Sequence, residues 1–312
     1  PKTVTSLGSS AFSSNPITTL SIGKCTADIC RNNSFGTTVK DLTVESGEIG
    51  EHAFSSISDS TTKLEKLTLG NEVTSIGDYA FSSNQISSLT LPGSLTSIGY
   101  VAFQSNQISG ELIIPNSVSN IGKEAFSVNQ ISSLTIPKTV ASLESLAFDD
   151  NPITTLSIGK CTTDICNYNS FGTSVKELTV ESGEVGDYAF SSNSDSTTKL
   201  EKLTLGNGVT TIGNNAFSSN QISALSIPNS LTIIGSQAFY DNQISSLTFA
   251  ENSSLTSIDN SAFSSNQISG ELVIPNSVTT IESYAFRSNQ ISSLTIPNSV
   301  IAIGDSAFYG NQ

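Results

Sequence analysis

Leu89-Thr90-Leu91-Pro92, continued by Leu95, Ile98, Gly99, Ala102, Phe103, Asn106 and Ile108, is the stretch that decides the fold. In one-letter form it reads L-T-[IL]-P-x-x-[VL]-x-x-I-G-x-x-A-F-x-x-N-Q-I, and the pattern returns along the whole chain. Phenylalanine marks it best, at Phe12, Phe35, Phe54, Phe81, Phe103, Phe126, Phe148, Phe171, Phe190, Phe217, Phe239, Phe263, Phe286 and Phe308. Phe249 alone stands outside the series. Most intervals are 22 or 23 residues, as from Phe81 to Phe103 and from Phe103 to Phe126. A repeat of that length is the period of a solenoid coil. One coil cannot bury its apolar face alone, so neighbouring coils stack and share a continuous core.

Within a coil the residue types set the local geometry. Ile86-Ser87-Ser88-Leu89-Thr90-Leu91 alternates toward its end and predicts a strand. Pro92 closes it, having no N–H to give a ladder. Leu95-Thr96-Ser97-Ile98 predicts a second, shorter strand, and Gly99 a bend where a side chain obstructs. The Gly-x-x-Ala-Phe step predicts a tight turn or a single 3₁₀ turn with Phe at the centre. No 3.6-residue period persists, which excludes a long helix. The expected core of each coil is thus Ile86, Leu89, Leu91, Leu95, Ile98, Ala102 and Phe103 and their equivalents. Asn84, Asn106, Asn129, Asn220, Asn242, Asn266 and Asn289 follow Phe by three residues and predict a ladder serving turn backbone groups. The Gln that follows each is expected to face solvent.

The chain has 312 residues, 13 of them Lys or Arg and 27 Asp or Glu, for a net charge of −14. That balance argues against nucleic acid or an anionic membrane surface as partner, since both need basic patches. No apolar run is long enough to cross a bilayer, so membrane insertion is not expected. No secretory leader is recognisable. Pro1 and Gln312 both fall inside a repeat unit, and the expectation is a window cut from a longer array. With no Met, no Trp and one His, catalytic and metal-ligating material is scarce. The expectation is a protein without enzymatic activity and without a cofactor.

A larger repeat overlies the small one. Residues 1–26 match 137–162 at 21 of 26 positions, and the same offset relates Phe12 to Phe148, Phe54 to Phe190 and Phe103 to Phe239. The chain therefore reads as one solenoid domain, 1–312, with a block duplication (1–136 and 137–272) and a partial third block (273–312). Three coils depart from the rule in each block. One carries Cys25 and Cys30, or Cys161 and Cys166; the next is short, and the one after is long. The extra residues map to Ser55–Lys63 and Ser191–Lys199, around Asp59 and Asp195, and are read as protruding, candidate binding loops.

The candidate chemistry is sparse. Cys-x₄-Cys without nearby His lacks the ligand set of a zinc site. A local disulfide, Cys25 to Cys30 and Cys161 to Cys166, or a buried thiol accounts for each pair, and the disulfide is favoured by the extracellular look of the chain. Carboxylates gather at Asp41, Glu45, Glu48 and Glu51, and again at Glu177, Glu181, Glu184 and Asp187. Pairs of that kind serve acid–base chemistry or Ca²⁺ in other settings. Here no Asp-x-Asp loop surrounds them, and a solvated acidic edge is the reading adopted. His52 is replaced by Tyr188 in the second block, so the pattern does not require it. The Thr row of Thr43, Thr68, Thr90, Thr135, Thr179, Thr204, Thr248 and Thr295 follows from strand propensity, with ice or carbohydrate binding as a weaker alternative. Asn32-Asn33-Ser34 and Asn252-Ser253-Ser254 are glycosylation sequons by pattern.

The phrase L-x-I-P-x-x-V-x-x-I-G-x-x-A-F, as in Leu134 to Phe148 and Leu294 to Phe308, resembles the BspA-like leucine-rich repeats, also called the Treponema pallidum type. The resemblance covers nearly the whole chain. That family usually has Cys where this chain has Asn three residues after Phe. The resemblance implies a mainly β leucine-rich-repeat solenoid of about fourteen coils, with a parallel sheet on the concave face and short strands or 3₁₀ turns opposite. It also implies an extracellular or cell-surface location and a role in adhesion or protein binding, with a protein or cell-surface ligand as partner. The alternative is structural: self-association end to end into extracellular fibres. The family supplies no catalytic residues to carry over.

Overall fold

The computed structural model describes residues 2–4, 7, 12, 15–26, 28–32, 38–56, 63–166, 171, 174–192 and 199–311. The chain is an all-β parallel solenoid of about 12 turns, somewhat fewer than the Phe series suggests. It divides into two units, Pro1–Ile153 with Asn169–Gly172, and Thr154–Tyr168 with Thr173–Gln312.

Each coil presents its strands on two faces. In the first unit Thr19–Ile22, Asp41–Ile49 and Lys66–Ile76 pair in parallel on the first face, and Ser109–Ile113 pairs with Gln130–Ile136. The end of Lys66–Ile76 continues onto the second face, where Ser97–Ile98, Asn120–Ile121 and Ser142–Leu143 follow. The second unit repeats the plan. Thr155–Ile158, Glu177–Val185 and Lys202–Ile212 pair in parallel, and Ile233–Ile234, Ser257–Ile258, Thr280–Ile281 and Ala302–Ile303 extend the second face. Ala224–Ile227 with Ser246–Phe249, and Ser269–Val273 with Gln290–Thr295, form two separate first-face pairs. Proline makes the corner between faces: its carbonyl accepts the N–H three residues on, as from Leu95 to Pro92 at 3.1 Å and from Val278 to Pro275 at 3.1 Å.

The Gly-x-x-Ala-Phe step is neither strand nor 3₁₀ turn among the described residues. It is a series of tight turns with positive φ two residues before and two after Phe, at Val101 and Ser105 around Phe103 for example. That alternation lets every second N–H group reach across to the next coil, while those between bond within the turn, as Ala102 N–H does to Gly99 O. Phe103 N–H donates to Ala125 O at 2.7 Å and Phe126 N–H to Ala147 O at 2.8 Å. The turn thus adds its own intercoil ladder, which a 3₁₀ turn bonded within itself cannot supply.

The Phe rings stack into a column in each unit. Phe54, Phe81, Phe103, Phe126, Phe148 and Phe171 run through the first at centroid spacings of 5.2–6.2 Å. Phe190, Phe217, Phe239, Phe263, Phe286 and Phe308 run through the second at 5.3–5.8 Å. These are offset-stacking distances. Phe12 is half-buried, and Phe35 lies outside the described residues. Leu89 is also only half-buried, although the pattern places it in the core. The following coil has one residue more between Ile108 and Pro115 than this coil has between Ile86 and Pro92. That residue makes a bulge at Gly110 and breaks first-face pairing at this point.

The bulge recurs at Gly270, and the pairing of Ser269 with Gln290 repeats that of Ser109 with Gln130. Those two coil pairs therefore correspond. The coil from Phe239 to Phe263, which carries Phe249, has no counterpart in the first block.

Candidate binding surfaces

The cysteine corners face inward. Disulfides join Cys25 to Cys30 and Cys161 to Cys166 across Cα separations of 5.5 and 5.4 Å, and all four residues are buried. Thr26 O accepts the N–H groups of Ile29 and Cys30, both at 3.0 Å, closing the local loop. Cys25 then bridges to the next coil: its N–H donates to Ser46 O at 2.8 Å, and Glu48 N–H donates to its carbonyl at 3.1 Å. Gly47, at φ +95°, is required there because a Cβ would strike the Cys25 carbonyl. Neither a free thiol nor a cluster of three metal-ligating side chains occurs among the described residues.

The acidic residues of the short coils do not converge. Asp41 meets Lys66 at 3.4 Å and Glu177 meets Lys202 at 3.6 Å, each across adjacent strands. Lys40 with Glu65 at 2.7 Å and Lys176 with Glu201 at 2.8 Å complete the same exposed pattern in each unit. Asp187 accepts the Asn214 N–H at 2.7 Å, as Asp78 accepts that of Tyr100 at 2.8 Å, so both serve the next coil's turn. Glu51 lies 3.6 Å from His52, while Glu45, Glu48, Glu181 and Glu184 are exposed. The ammonium of Lys2 hydrogen-bonds Glu72 and holds its carboxyl below the usual range. Exposed pairs of this kind fix side-chain positions more than they stabilise the fold.

Of the candidate loop residues, Ser55, Lys63, Ser191 and Lys199 are half-buried at the loop ends, whereas Asp59 and Asp195 lie outside the described residues. The Ser55 hydroxyl is 3.5 Å from His52 Nδ1, and the Ser191 hydroxyl donates to Tyr188 O at 3.2 Å. Beside the first loop, His52 stacks on Tyr79 at 4.5 Å, and Tyr79 meets Tyr100 edge-on at 5.0 Å. Its hydrogen bond with Tyr100, in which the Tyr79 hydroxyl keeps its proton as donor, pushes the Tyr79 phenol upward. The sequence reading missed this aromatic row. The available signal was an aromatic ring in both blocks, His52 and Tyr188, at one position of the pattern.

The Asn series is internal, and it extends to Asn151 and Asn311, which the sequence reading omitted. Asn129 shows the geometry. Its Oδ1 accepts Ile108 N–H of the previous coil at 3.0 Å, and its Nδ2 donates to Phe103 O at 2.9 Å and Phe126 O at 3.0 Å. These side chains are committed to the scaffold. The Thr row is uneven: Thr43, Thr135 and Thr179 are half-buried, whereas Thr68, Thr90, Thr204, Thr248 and Thr295 are exposed.

A groove of about 560 Å³ opens on the second unit, between the Ser246–Phe249 and Ser269–Val273 pairs. Phe249, Val273 and Pro275 line it with Glu251, Asn252 and Glu271.

Stacked parallel coils, an inward Phe column and a Pro corner together define a leucine-rich-repeat solenoid. The BspA type leucine rich repeat region matches the chain in 6 copies over residues 1–62, 47–176 and 183–312. The chain belongs to that family. It is similar to a leucine-rich repeat protein of Bacteroides ovatus at 21% identity, covering 93% of this chain and 84% of that one with a TM-score of 0.41. A leucine-rich repeat protein of Eubacterium ventriosum shares 22% identity over 93% and 83% of the two chains, TM-score 0.33. A leucine rich cell surface protein of Faecalibacterium prausnitzii shares 17% over 94% and 82%, TM-score 0.30. Comparison with curated proteins gives no match. No helix among the described residues is long and apolar enough to cross a membrane.

Proposed function

We propose that this chain is a non-catalytic scaffold, extracellular or at the cell surface, that binds protein and mediates adhesion. The supporting observation is a charged platform present once in each unit. Regular coils turn Phe, Ile, Leu and Asn inward and expose mainly Ser, Thr and Gln. In the irregular coils, strands of 9 and 11 residues, Asp41–Ile49 with Lys66–Ile76 and Glu177–Val185 with Lys202–Ile212, hold Lys and carboxylates outward in fixed register. The loops beginning at Ser55 and Ser191 adjoin them. Interfaces draw most of their energy from a few distinctive side chains, which the Ser and Thr rows lack. Two copies of one platform offer avidity to a partner that engages both. The disulfides suit an oxidising compartment. The proposal takes 1–312 as one repeat array.

The test immobilises the full chain and challenges it with an extract of extracellular-matrix proteins. A variant with both loops shortened to the length of a regular coil is expected to retain about tenfold less protein. Equal retention overturns the proposal. Filaments that form in sedimentation with or without the loops support end-to-end assembly instead.

A further inference from the structure

We propose that the groove on the second unit binds the cationic side chain of a basic protein segment, an Arg or Lys of the partner. The inference rests on the protein-binding reading but names a surface separate from the charged platforms.

The groove has a structural cause. First-face pairing stops between Ser246–Phe249 and Ser269–Val273, where the second strand carries one residue more between Ile268 and Pro275 than the first has between Ile244 and Ala250, and shifts register at Gly270 against the strand that follows. The coil from Phe239 to Phe263 also replaces the Pro corner with Phe249-Ala250-Glu251-Asn252, and Asn252 has a φ of +54°. The lining follows from that replacement. Phe249 takes the inward slot of an Ile yet is only half-buried, and Val273 is 52% exposed. Glu251 and Glu271 are both exposed, and neither forms an ion pair among the described residues. Among the described residues, Glu271 is approached only by the Thr295 hydroxyl, at 3.5 Å.

The chemistry selects the occupant. No Lys or Arg lines the groove. From Leu203 to Gln312 the chain holds one basic residue, Arg287, against Asp241, Glu251, Asp259, Glu271, Glu282 and Asp305. Arg287 is engaged elsewhere, 5.4 Å from the Tyr284 ring and 5.7 Å from that of Tyr309. A local field of one sign draws the opposite charge. Arg and Lys are long side chains with apolar stems. Here the stem can lie on Val273 and Pro275, the head can meet the carboxylates, and the Phe249 ring adds a face that attracts cations. The volume is that of a small-ligand site and admits such a side chain.

The first unit supplies an internal control. Its bulge at Gly110 leaves the same break in pairing, and Glu111 and Ile113 stand where Glu271 and Val273 do. The preceding coil there turns with Leu91-Pro92-Gly93, without aromatic ring or carboxylate.

The experiment titrates the full chain into a fluorescein-labelled Gly/Ser peptide carrying three arginines and follows anisotropy. The Glu251→Gln/Glu271→Gln variant is expected to bind at least about tenfold more weakly. Glu111→Gln/Glu282→Gln removes the same charge elsewhere and is expected to stay within about twofold. Val273→Lys places a cation in the groove from an exposed position and is expected to abolish binding. Equal weakening by the two double variants shows general charge attraction and overturns the proposal. So does equal binding of the peptide with glutamine in place of arginine. Groove-dependent binding of a neutral oligosaccharide in place of the peptide overturns it as well. The loop-shortened chain still carries the groove, so loss of matrix binding by that chain and loss of peptide binding by the glutamine variant report on different proposals.

Discussion

Asn129→Ala removes four hydrogen bonds, but the four groups left behind do not lose equally. Phe103 O also accepts from Asn106 Nδ2 at 3.1 Å, and Phe126 O also accepts from Asn151 Nδ2 at 2.9 Å. Ser127 O, 3.3 Å from Asn129 Nδ2, also accepts from Ser105 N–H at 3.0 Å, so all three carbonyls keep a partner. Among the described residues Ile108 N–H has only the Asn129 oxygen, at 3.0 Å, and Ile108 is 2% exposed. A buried donor left unsatisfied costs about 1–3 kcal/mol, and each lost second bond adds less, so about 2–4 kcal/mol is expected in all. The cost is local, so hydrogen exchange at Ile108 and its neighbours is the primary readout, with guanidinium unfolding beside it. Asn129→Asp separates hydrogen bonding from size. Its carboxylate can still accept from Ile108 N–H, but it faces three carbonyls as a like partial charge and donates nothing. Asn129→Asp is therefore expected to be less stable than Asn129→Ala at neutral pH. Burial beside carbonyls raises the folded-state pKa of that Asp, so the variant recovers as pH falls from that raised value and has recovered fully by about pH 4, the unfolded-state value. A cost below about 1 kcal/mol, or unchanged exchange at Ile108, refutes the donor argument.

Phe103→Ala opens a gap between the Phe81 and Phe126 rings, each 5.2 Å from the Phe103 ring, and is expected to cost about 3–5 kcal/mol in chemical denaturation. Gly99→Ala brings a Cβ to 2.6 Å from Asp78 N and is expected to cost about 1–3 kcal/mol. Gly93→Ala has nothing within 4 Å, and is expected to be neutral or slightly stabilising in the same assay. Non-reduced peptide mapping is expected to recover Cys25 with Cys30 and Cys161 with Cys166. Reduction is expected to cost only about 2 kcal/mol for each such short loop, and four alkylatable thiols in the unreduced protein contradict the pairing.

The Phe interval made the coil legible, because a solenoid repeats its core once per turn and the largest side chain marks that turn. The Pro corner was legible for a local reason, the missing N–H. The buried Asn ladder was legible from its fixed distance to Phe. The turn was not. Val101, Glu124 and Leu146 are unlikely types for positive φ, and nothing in their identity announces it. They adopt it because the resulting backbone bonds to the adjacent coil, a gain that exists only once that coil is in place. The His52–Tyr79–Tyr100 row escaped notice for a related reason. Its members come from different coils, and Tyr100 sits at another position of the repeat.

By itself the sequence determined the period, the inward columns of Phe, Ile and Leu, the acidic surface and the family, since each follows from residue type and spacing along one coil. Only the tertiary structure decided how coils of unequal length meet. One residue inserted at Gly110 or Gly270 changes which backbone groups oppose each other across coils, and that through-space register ends the first-face pairing. At Gly270 the break lies beside a coil whose corner carries Phe249 and Glu251, and a groove opens. Neither the break nor the neighbour alone specifies it, because the cavity belongs to the space between two coils.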